Sequence, residues 1–190
     1  PLGIAHQRKF IWDSVEEGEW FCMLDDNIDY FTAVEQPLYF QDELPVKEDK
    51  ELRKVFERRI DFLEFQSVLE DTIKEAERVG ARMAGFASNQ NFFFRGKKFR
   101  YVGFILGKTM LFKKNKFVQW DTNLEVKEDY QITAENLLHF GVVVINNFAI
   151  AKYKHYQKGG CGTFNEREQK LKHCAGELIK KYGWLFRYKN

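Results

Sequence analysis

Apolar and polar positions along the chain follow two periods, and together they predict a single α/β unit. Apolar residues at helical spacing predict four helices, over 4–15, 51–79, 130–140 and 165–182. Continuous apolar runs predict strands over 20–24, 28–34, 83–87, 101–112 and 142–145, with an edge strand over 184–188. The segment 36–49, which holds two of the three prolines and several acids, is typical of an exposed loop.

The first apolar run, 20–24, ends abruptly at Asp25, Asp26 and Asn27. Such a run without polar alternation is typical of a strand buried on both faces, as in a parallel sheet. Ligands of open α/β sheets bind beyond the carboxyl ends of the strands, and carboxylate and amide oxygens suit Mg²⁺ or Mn²⁺. An ordinary acidic turn after a strand explains the local pattern equally well.

Composition narrows the class of protein. A chain of 190 residues with 44% hydrophobic content and no repeat or linker is predicted to form one domain over 1–190. The net charge of +2 does not by itself indicate a nucleic-acid-binding protein, and no apolar run approaches the ~20 residues of a membrane span.

Three cysteines form no disulfide framework, which indicates a reducing compartment. Zinc is disfavoured, because neighbouring His173 and Cys174 on one helix cannot both face one metal together with Cys161.

Glu128 and Asp129 stand directly before the third predicted helix. Acids in a first helical turn complement the helix dipole, which alone would explain them. Together with the turn at Asp25, they could also form a second carboxylate group that deprotonates or positions an acceptor hydroxyl.

The segment 153–162 combines His155 with a glycine-rich stretch that includes Gly159 and Gly160. An imidazole can ligate a metal, and a glycine-rich flap can close over a phosphate-bearing ligand that Lys154 and Lys158 would meet. An ordinary flexible loop is the alternative.

A basic and aromatic stretch contains Arg95, Lys97, Lys98 and Arg100, and a second group of lysines follows at 113–116. Cationic side chains for phosphates and rings for stacking are what a nucleic-acid surface needs. A basic hairpin at a solvated sheet edge is at least as good an explanation.

Four pieces of the chain occur in the order of the GT-A glycosyltransferases: Gly3-Ile4-Ala5-His6-Gln7-Arg8, Met23-Leu24-Asp25-Asp26-Asn27-Ile28, Glu128-Asp129-Tyr130, and the segment 155–162. In this succession the chain resembles the TET-associated glycosyltransferase family of phages and eukaryotes. The resemblance implies an α/β, GT-A-like (Rossmann-like) fold with a mixed, mostly parallel sheet flanked by helices. Since the helix of Arg8 comes first here, the expected fold lacks the initial nucleotide-binding strand.

The resemblance also implies an activity: metal-dependent transfer of a sugar from a nucleotide-sugar, expected to be a UDP-sugar, to the hydroxyl of a 5-hydroxymethylpyrimidine such as hydroxymethylcytosine in DNA. The expected location is the cytoplasm of a bacterial or phage-infected cell, or a nucleus, rather than outside the cell. Carried over by position, Asp25, Asp26, Asn27 and His155 would hold Mn²⁺ or Mg²⁺, and Glu128 and Asp129 would lie near the acceptor. The nucleotide-sugar would meet Arg8, Lys154, Lys158, Gly159 and Gly160, and the DNA phosphates Arg95, Lys97, Lys98 and Arg100.

Two other classes of protein fit the same residues. A metal-dependent nucleotidyltransferase also needs paired carboxylates after strands, but it would release pyrophosphate or form a nucleotide adduct. A catalytically silent module would bind DNA or protein through the basic stretch, with strong salt dependence and no metal requirement.

Overall fold

The computed structural model describes residues 3–34, 57–88, 97–124, 126–153 and 164–187, with the backbone alone for 164–167. The helices are α1 (Ile4–Asp13), α2 (Phe62–Val79), α3 (Glu128–Phe140) and α4 (Phe164–Lys181). The strands are β1 (Trp20–Leu24), β2 (Ile28–Val34), β3 (Glu57–Arg59), β4 (Met83–Phe86), β5 (Phe99–Arg100), β6 (Thr109–Lys113), β7 (Val144–Asn146) and β8 (Ala149–Tyr153). The α/β class is therefore confirmed.

A five-stranded sheet has the order β1-β6-β4-β7-β5. Strand β4 pairs in parallel with β7, whereas the β1–β6, β4–β6 and β5–β7 pairs are antiparallel. The prediction of a mostly parallel sheet was wrong for the described residues. Its basis was the apolar run of β1, but β1 is an edge strand whose first three residues are only half-buried. Strand β6 lies between β1 and β4 and reverses the direction of pairing.

Strands β1, β4 and β7 nevertheless point the same way, so their carboxyl ends meet at one edge of the sheet. Strands β5 and β6 begin at that edge. Backbone hydrogen bonds join the edge residues: Asp25 N–H donates to Lys108 O, Ala87 N–H to Asn146 O, and Asn147 N–H to Lys98 O. We call this the site edge, defined by Asp25, Lys108, Ala87, Asn147 and Lys98 in that order across the sheet.

Alternating residues of β6 face the two helical layers that cover the sheet. Met110 and Phe112 pack in a cluster with Trp12 and with Ile132 of α3, while Leu111 packs on the other face in the cluster that contains Ala76 of α2. This two-residue period is the pattern of a strand covered on both faces. Helices α1 and α3 therefore cover one face of the sheet, and α2 covers the other.

A second sheet brings β8 to the site edge. Its order is β3-β2-β8, with both pairs antiparallel and Ile28 opposite Tyr153. Because β2 follows β1 after the turn at Asp25 and Asn27, this pairing carries Tyr153 beside that turn.

Several element boundaries differ from the sequence-based prediction. The second helix begins at Phe62 because Asp61 and Glu64 form a reciprocal capping box, and residues 57–59 form β3 instead. The predicted strand over 101–112 is limited to its end, since β6 spans Thr109–Lys113. Residues 184–187 contain no strand, because the backbone N–H groups of Leu185 and Phe186 bond back to Tyr182 O in a turn. The predicted loop over 36–49 lies outside the described residues.

None of the helices in the described residues is both long enough and apolar enough to cross a bilayer.

Candidate active site at the edge of the sheet

Arg8 is a buried cation at the centre of the site. It shares the inward face of α1 with Ala5 and Trp12, and only 6% of the residue is exposed. Its guanidinium donates to Glu128 Oε1 at 2.6 Å, to Asp25 Oδ1 at 3.0 Å and to Gly107 O at 3.1 Å. Two carboxylates from distant parts of the chain are therefore held by one cation, as buried charges require.

Gly107 leaves the space that the guanidinium fills. A Cβ atom at this position would lie 2.5 Å from Arg8 Nη2 and 2.8 Å from Arg8 Nη1. Side-chain carbons do not approach nitrogen so closely, so any larger residue here would displace Arg8 or the loop that precedes β6.

Lys108 contacts the turn that follows β1. Its Nζ atom lies 2.9 Å from Asp25 Oδ2 and 2.8 Å from Asn27 Oδ1. The same ammonium is 4.3 Å from the centre of the Tyr153 ring, a distance typical of a cation–π contact. Both carboxylate oxygens of Asp25 thus face a cation, Arg8 on one side and Lys108 on the other.

Glu128 is the first residue of α3 and is buried. Burial, together with the neighbouring Asp129, raises the pKa of Glu128 to about 7 from its ordinary value of 4.5, although Arg8 acts in the opposite direction. The preceding Lys127 has a φ of 65°, a left-handed conformation that is uncommon outside glycine. A carboxyl that titrates near neutral pH is suited to accept a proton in a reaction.

Asp129 has a different environment from Glu128. Its Oδ2 atom accepts the Gly107 N–H at 3.0 Å and its Oδ1 atom accepts the Tyr130 N–H at 2.9 Å. Burial raises the pKa of Asp129, and these backbone donors oppose the rise. The carboxylate thus ties the start of α3 to the loop before β6, which is the helix-start role that the sequence left open.

The predicted site residues divide into three groups. Arg8, Asp25, Asn27, Glu128 and Asp129 come together in the contacts above, and Asp26 is exposed on the adjoining turn. The predicted site residues outside the described part of the chain are Arg95, Lys154, His155, Lys158, Gly159 and Gly160. Among the described residues, no three His, Cys, Asp or Glu side chains form a group that could hold a metal ion.

The third group is the basic one, which lies at the far end of the site edge. Lys97, Lys98 and Arg100 belong to β5 or directly precede it, four strands from Asp25, or roughly 19 Å at the usual strand spacing. Lys98 pairs with Asp71 at 2.7 Å. Lys113 instead lies at the opposite edge, opposite Trp20, so the basic stretch and the later lysines do not form one surface.

A narrow pocket opens beside Lys108, between the two sheets. Its walls include Phe86, Ser88, Thr109 and Tyr153. The Thr109 hydroxyl is buried and has no hydrogen-bond partner in the described part of the chain. Thr109 is thus a pocket-lining residue whose hydroxyl is buried without a partner.

Sequence reasoning missed Gly107 and Lys108. A Gly-Lys pair is common in turns, and nothing in the local pattern identifies this pair as the partner of Arg8 and Asp25. The register of β6 against β1, which places Thr109 opposite Leu24, is what brings them to the turn.

Comparisons with protein-family models, with curated proteins and with solved structures gave no match for this chain. The site joins two cations (Arg8 and Lys108), three carboxylates (Asp25, Glu128 and Asp129) and the amide of Asn27 at the edge where three strands end.

Proposed function

We propose that this chain is a glycosyltransferase that moves a sugar from a nucleotide-sugar, a UDP-sugar in the first instance, to a hydroxyl group. The observation that carries the proposal is the convergence of Arg8, Asp25 and Glu128 at the site edge, joined by bonds of 2.6 and 3.0 Å. These residues stand in three of the four pieces on which the resemblance to GT-A glycosyltransferases rests.

The cations of the site suit an anionic leaving group. A nucleoside diphosphate departs with increasing negative charge, and fixed positive charges in a partly buried site stabilise that charge. Arg8 positions Asp25 and Glu128. Lys108 lies on the other side of Asp25, and the Lys108 side chain is 24% exposed.

The resemblance also implies a divalent ion, Mn²⁺ or Mg²⁺, at the turn after β1, although the described residues alone form no group that could hold one. Oxygens of Asp25 and Asn27 already converge on a cation, the Lys108 ammonium, and Asp26 adds an exposed carboxylate on the same turn. Asp25, Asp26 and Asn27, with His155, are the residues that would hold the ion. When bound, the ion would neutralise charge on the departing diphosphate.

Glu128 is the residue we assign to the acceptor. With its pKa raised to about 7, a substantial fraction of this carboxyl is ionised at neutral pH and can take the proton of an attacking hydroxyl. The proton moves from the acceptor oxygen to a Glu128 carboxylate oxygen as the new C–O bond forms. Asp129 acts as a positioning residue through its bond to the Gly107 N–H.

The acceptor we propose is a hydroxymethylated pyrimidine in DNA. Lys97, Lys98 and Arg100 lie on the same sheet edge as the charged cluster and would contact phosphates away from the reacting base. A base in a duplex would have to be flipped out to reach Glu128.

The test is a transfer assay with the whole chain, Mn²⁺, a panel of UDP-sugars and a duplex that contains 5-hydroxymethylcytosine. Digestion of the DNA and mass spectrometry of the nucleosides should show one added sugar on the modified base and none on unmodified cytosine. Glu128→Gln should lower the rate at least a hundredfold. Glu77→Gln, an exposed glutamate on α2, is the matched control and should keep the rate.

Two results would contradict the proposal. A nucleotide adduct or pyrophosphate would indicate a nucleotidyltransferase. Binding of DNA that weakens steeply with salt, with no transfer from any nucleotide-sugar, would indicate a binding module.

A further inference from the structure

Three aromatic rings lie together where α3 begins. Phe104 belongs to the loop before β6, Tyr130 to the first turn of α3, and Phe186 to the segment just after α4. The ring centre of Phe104 is 4.9 Å from that of Tyr130 and 5.1 Å from that of Phe186. The centres of Tyr130 and Phe186 are 6.3 Å apart, so the three rings form a compact triangle. We call these three residues the ring cluster.

The ring cluster lies at the border of the core and is not sealed inside it. Tyr130 and Phe186 pack against a buried group that includes Leu178 and Tyr182. The three residues of the ring cluster are themselves each partly exposed. The cluster therefore presents aromatic surface to a ligand on a base that the core holds in place.

Cations flank the ring cluster. The Lys127 ammonium lies 4.5 Å from the centre of the Tyr130 ring, a cation–π distance. Lys127 has a φ of 65°, and non-glycine residues in such sparsely populated conformations concentrate at functional sites. Arg187, the residue after Phe186, is exposed. The acid next to Tyr130, Asp129, already accepts two backbone N–H groups, so the cluster combines rings with positive charge.

Rings and cations in this combination suit the unstacked bases of a nucleic-acid strand. A base stacks on an aromatic side chain, and a neighbouring cation meets the phosphate. Lysine has a flexible four-carbon chain, so a base can take the place of the Lys127 ammonium on Tyr130 while the ammonium moves to a phosphate. Tyr130 follows Glu128, the residue assigned to the acceptor, by two positions.

We propose that the ring cluster, together with Lys127, binds an unstacked pyrimidine of a DNA strand beside the acceptor residue. Glu128 bonds Arg8 on the side of α3 where the donor residues lie, whereas Tyr130 contacts rings from the loop before β6 and from the end of α4. The occupant is therefore a base of the strand and not the uracil of the donor. The inference deepens the proposed function and rests on it for the choice of DNA as the partner.

The test measures binding of a short labelled oligothymidine strand to the whole chain by fluorescence anisotropy, without metal or nucleotide-sugar. Tyr130→Leu removes one ring, and we expect it to bind the strand at least about fivefold more weakly, the lower end of what one base–aromatic stack contributes. Tyr130→Phe keeps the ring and should bind as the unmodified chain does. Melting temperatures identify the variants that are folded.

Lys127→Gly tests the cation separately and does not depend on whether Tyr130→Leu folds. Glycine adopts a φ of 65° without strain, so the melting temperature should stay the same or rise. The variant should nevertheless bind the strand several-fold more weakly, because the ammonium is gone. Unchanged binding by folded Lys127→Gly would contradict the role of this cation.

Phe117→Leu is the matched control. Phe117 is 53% exposed and has the Lys116 ammonium 5.7 Å from its ring centre, but it lies beside His139 and Phe140 at the other end of α3. Its replacement should leave the affinity for the strand unchanged.

Three results would overturn the inference. The unmodified chain does not bind the strand, folded Tyr130→Leu binds it as tightly as the unmodified chain, or Tyr130→Leu weakens the binding of uridine monophosphate and not that of the strand. The third result would assign the ring cluster to the donor base. Because no sugar is transferred in this experiment, failure of the proposed activity would not affect the outcome.

Discussion

The guanidinium of Arg8 lies 2.6 Å from Glu128 Oε1, although 120 residues separate the two in the chain. Both side chains are less than a tenth exposed. This ion pair fixes α1 against the start of α3, and through Asp25 it also fixes the turn after β1. The stability of the fold and the geometry of the site therefore depend on the same bonds.

Replacing Arg8 by methionine should lower the free energy of unfolding by about 3 kcal/mol at pH 8, because it leaves Glu128 buried without its cation. At pH 5 the loss should be smaller, since a protonated Glu128 needs no counter-charge. Urea unfolding at the two pH values measures the difference. Lys9→Met, which breaks an exposed pair with Asp13, is the control and should change stability by only about 0.5 kcal/mol. An equal loss for Arg8→Met at both pH values would contradict this account of the ion pair.

Glu128 should make stability fall as the pH rises. Its pKa is raised from an ordinary 4.5 to about 7 in the folded chain, so folding takes up a proton between these values. The contribution of Glu128 to the free energy of unfolding is then at its full value below pH ~4.5. It declines as the pH rises through ~7, by at most about 3 kcal/mol in total. Glu128→Gln should remove that decline. Parallel pH profiles for the variant and the unmodified chain would show that Glu128 titrates normally.

Gly107→Ala should disturb the site more than its small size suggests. The added methyl would lie 2.5 Å from Arg8 Nη2, so the guanidinium would have to move away from at least one of its oxygen acceptors. We expect a loss of 1–3 kcal/mol, roughly the cost of overpacking a core, measured by urea unfolding. Gly3→Ala is the comparison, since a Cβ at Gly3 meets nothing within 4 Å. Equal effects of the two substitutions would show that the close approach at Gly107 does not matter.

Lys97 should contribute to DNA binding through a phosphate. It is exposed and lies just before β5 on the site edge. Lys97→Ala should weaken binding to any duplex sequence and reduce the slope of log affinity against log salt by about one, measured by fluorescence anisotropy. Lys116→Ala, an exposed lysine beyond the opposite end of β6, should do neither. If the two variants weaken binding equally, the site edge is not the DNA surface.

Local patterns in the sequence predicted the helices and several strands well. Strand β2 spans Ile28–Val34 as expected, and α1 and α3 begin or end within two residues of their predicted limits. The start of α2 was misplaced because the apolar spacing continues through β3, while the capping box at Asp61 and Glu64 decides where the helix begins. A capping box can be recognised in the local sequence, but the longer apolar pattern that runs past it predicts an earlier helix start.

Pairing between strands could not be predicted in the same way. The apolar run of β1 was interpreted as a central parallel strand, yet it lies at the edge and pairs with β6, some 85 residues later by the register of Leu24 and Thr109. Nothing in either segment alone encodes that partner. Arg8, Asp25 and Glu128 were predicted from local patterns and the resemblance. Lys108, which contacts Asp25 directly, was missed because only the pairing of β1 with β6 brings it to the turn.

The measurement that tests the proposed donor site most directly is the melting temperature of the chain with UDP, in the presence and absence of Mn²⁺. A ligand well above its dissociation constant should raise the melting temperature by several degrees. We predict a rise with UDP and Mn²⁺ together that is lost in Asp26→Ala, an exposed residue, and kept in Glu17→Ala, an exposed acid away from the turn. No rise with UDP under either condition, or a rise that Asp26→Ala leaves intact, would contradict a metal-supported UDP site at this turn.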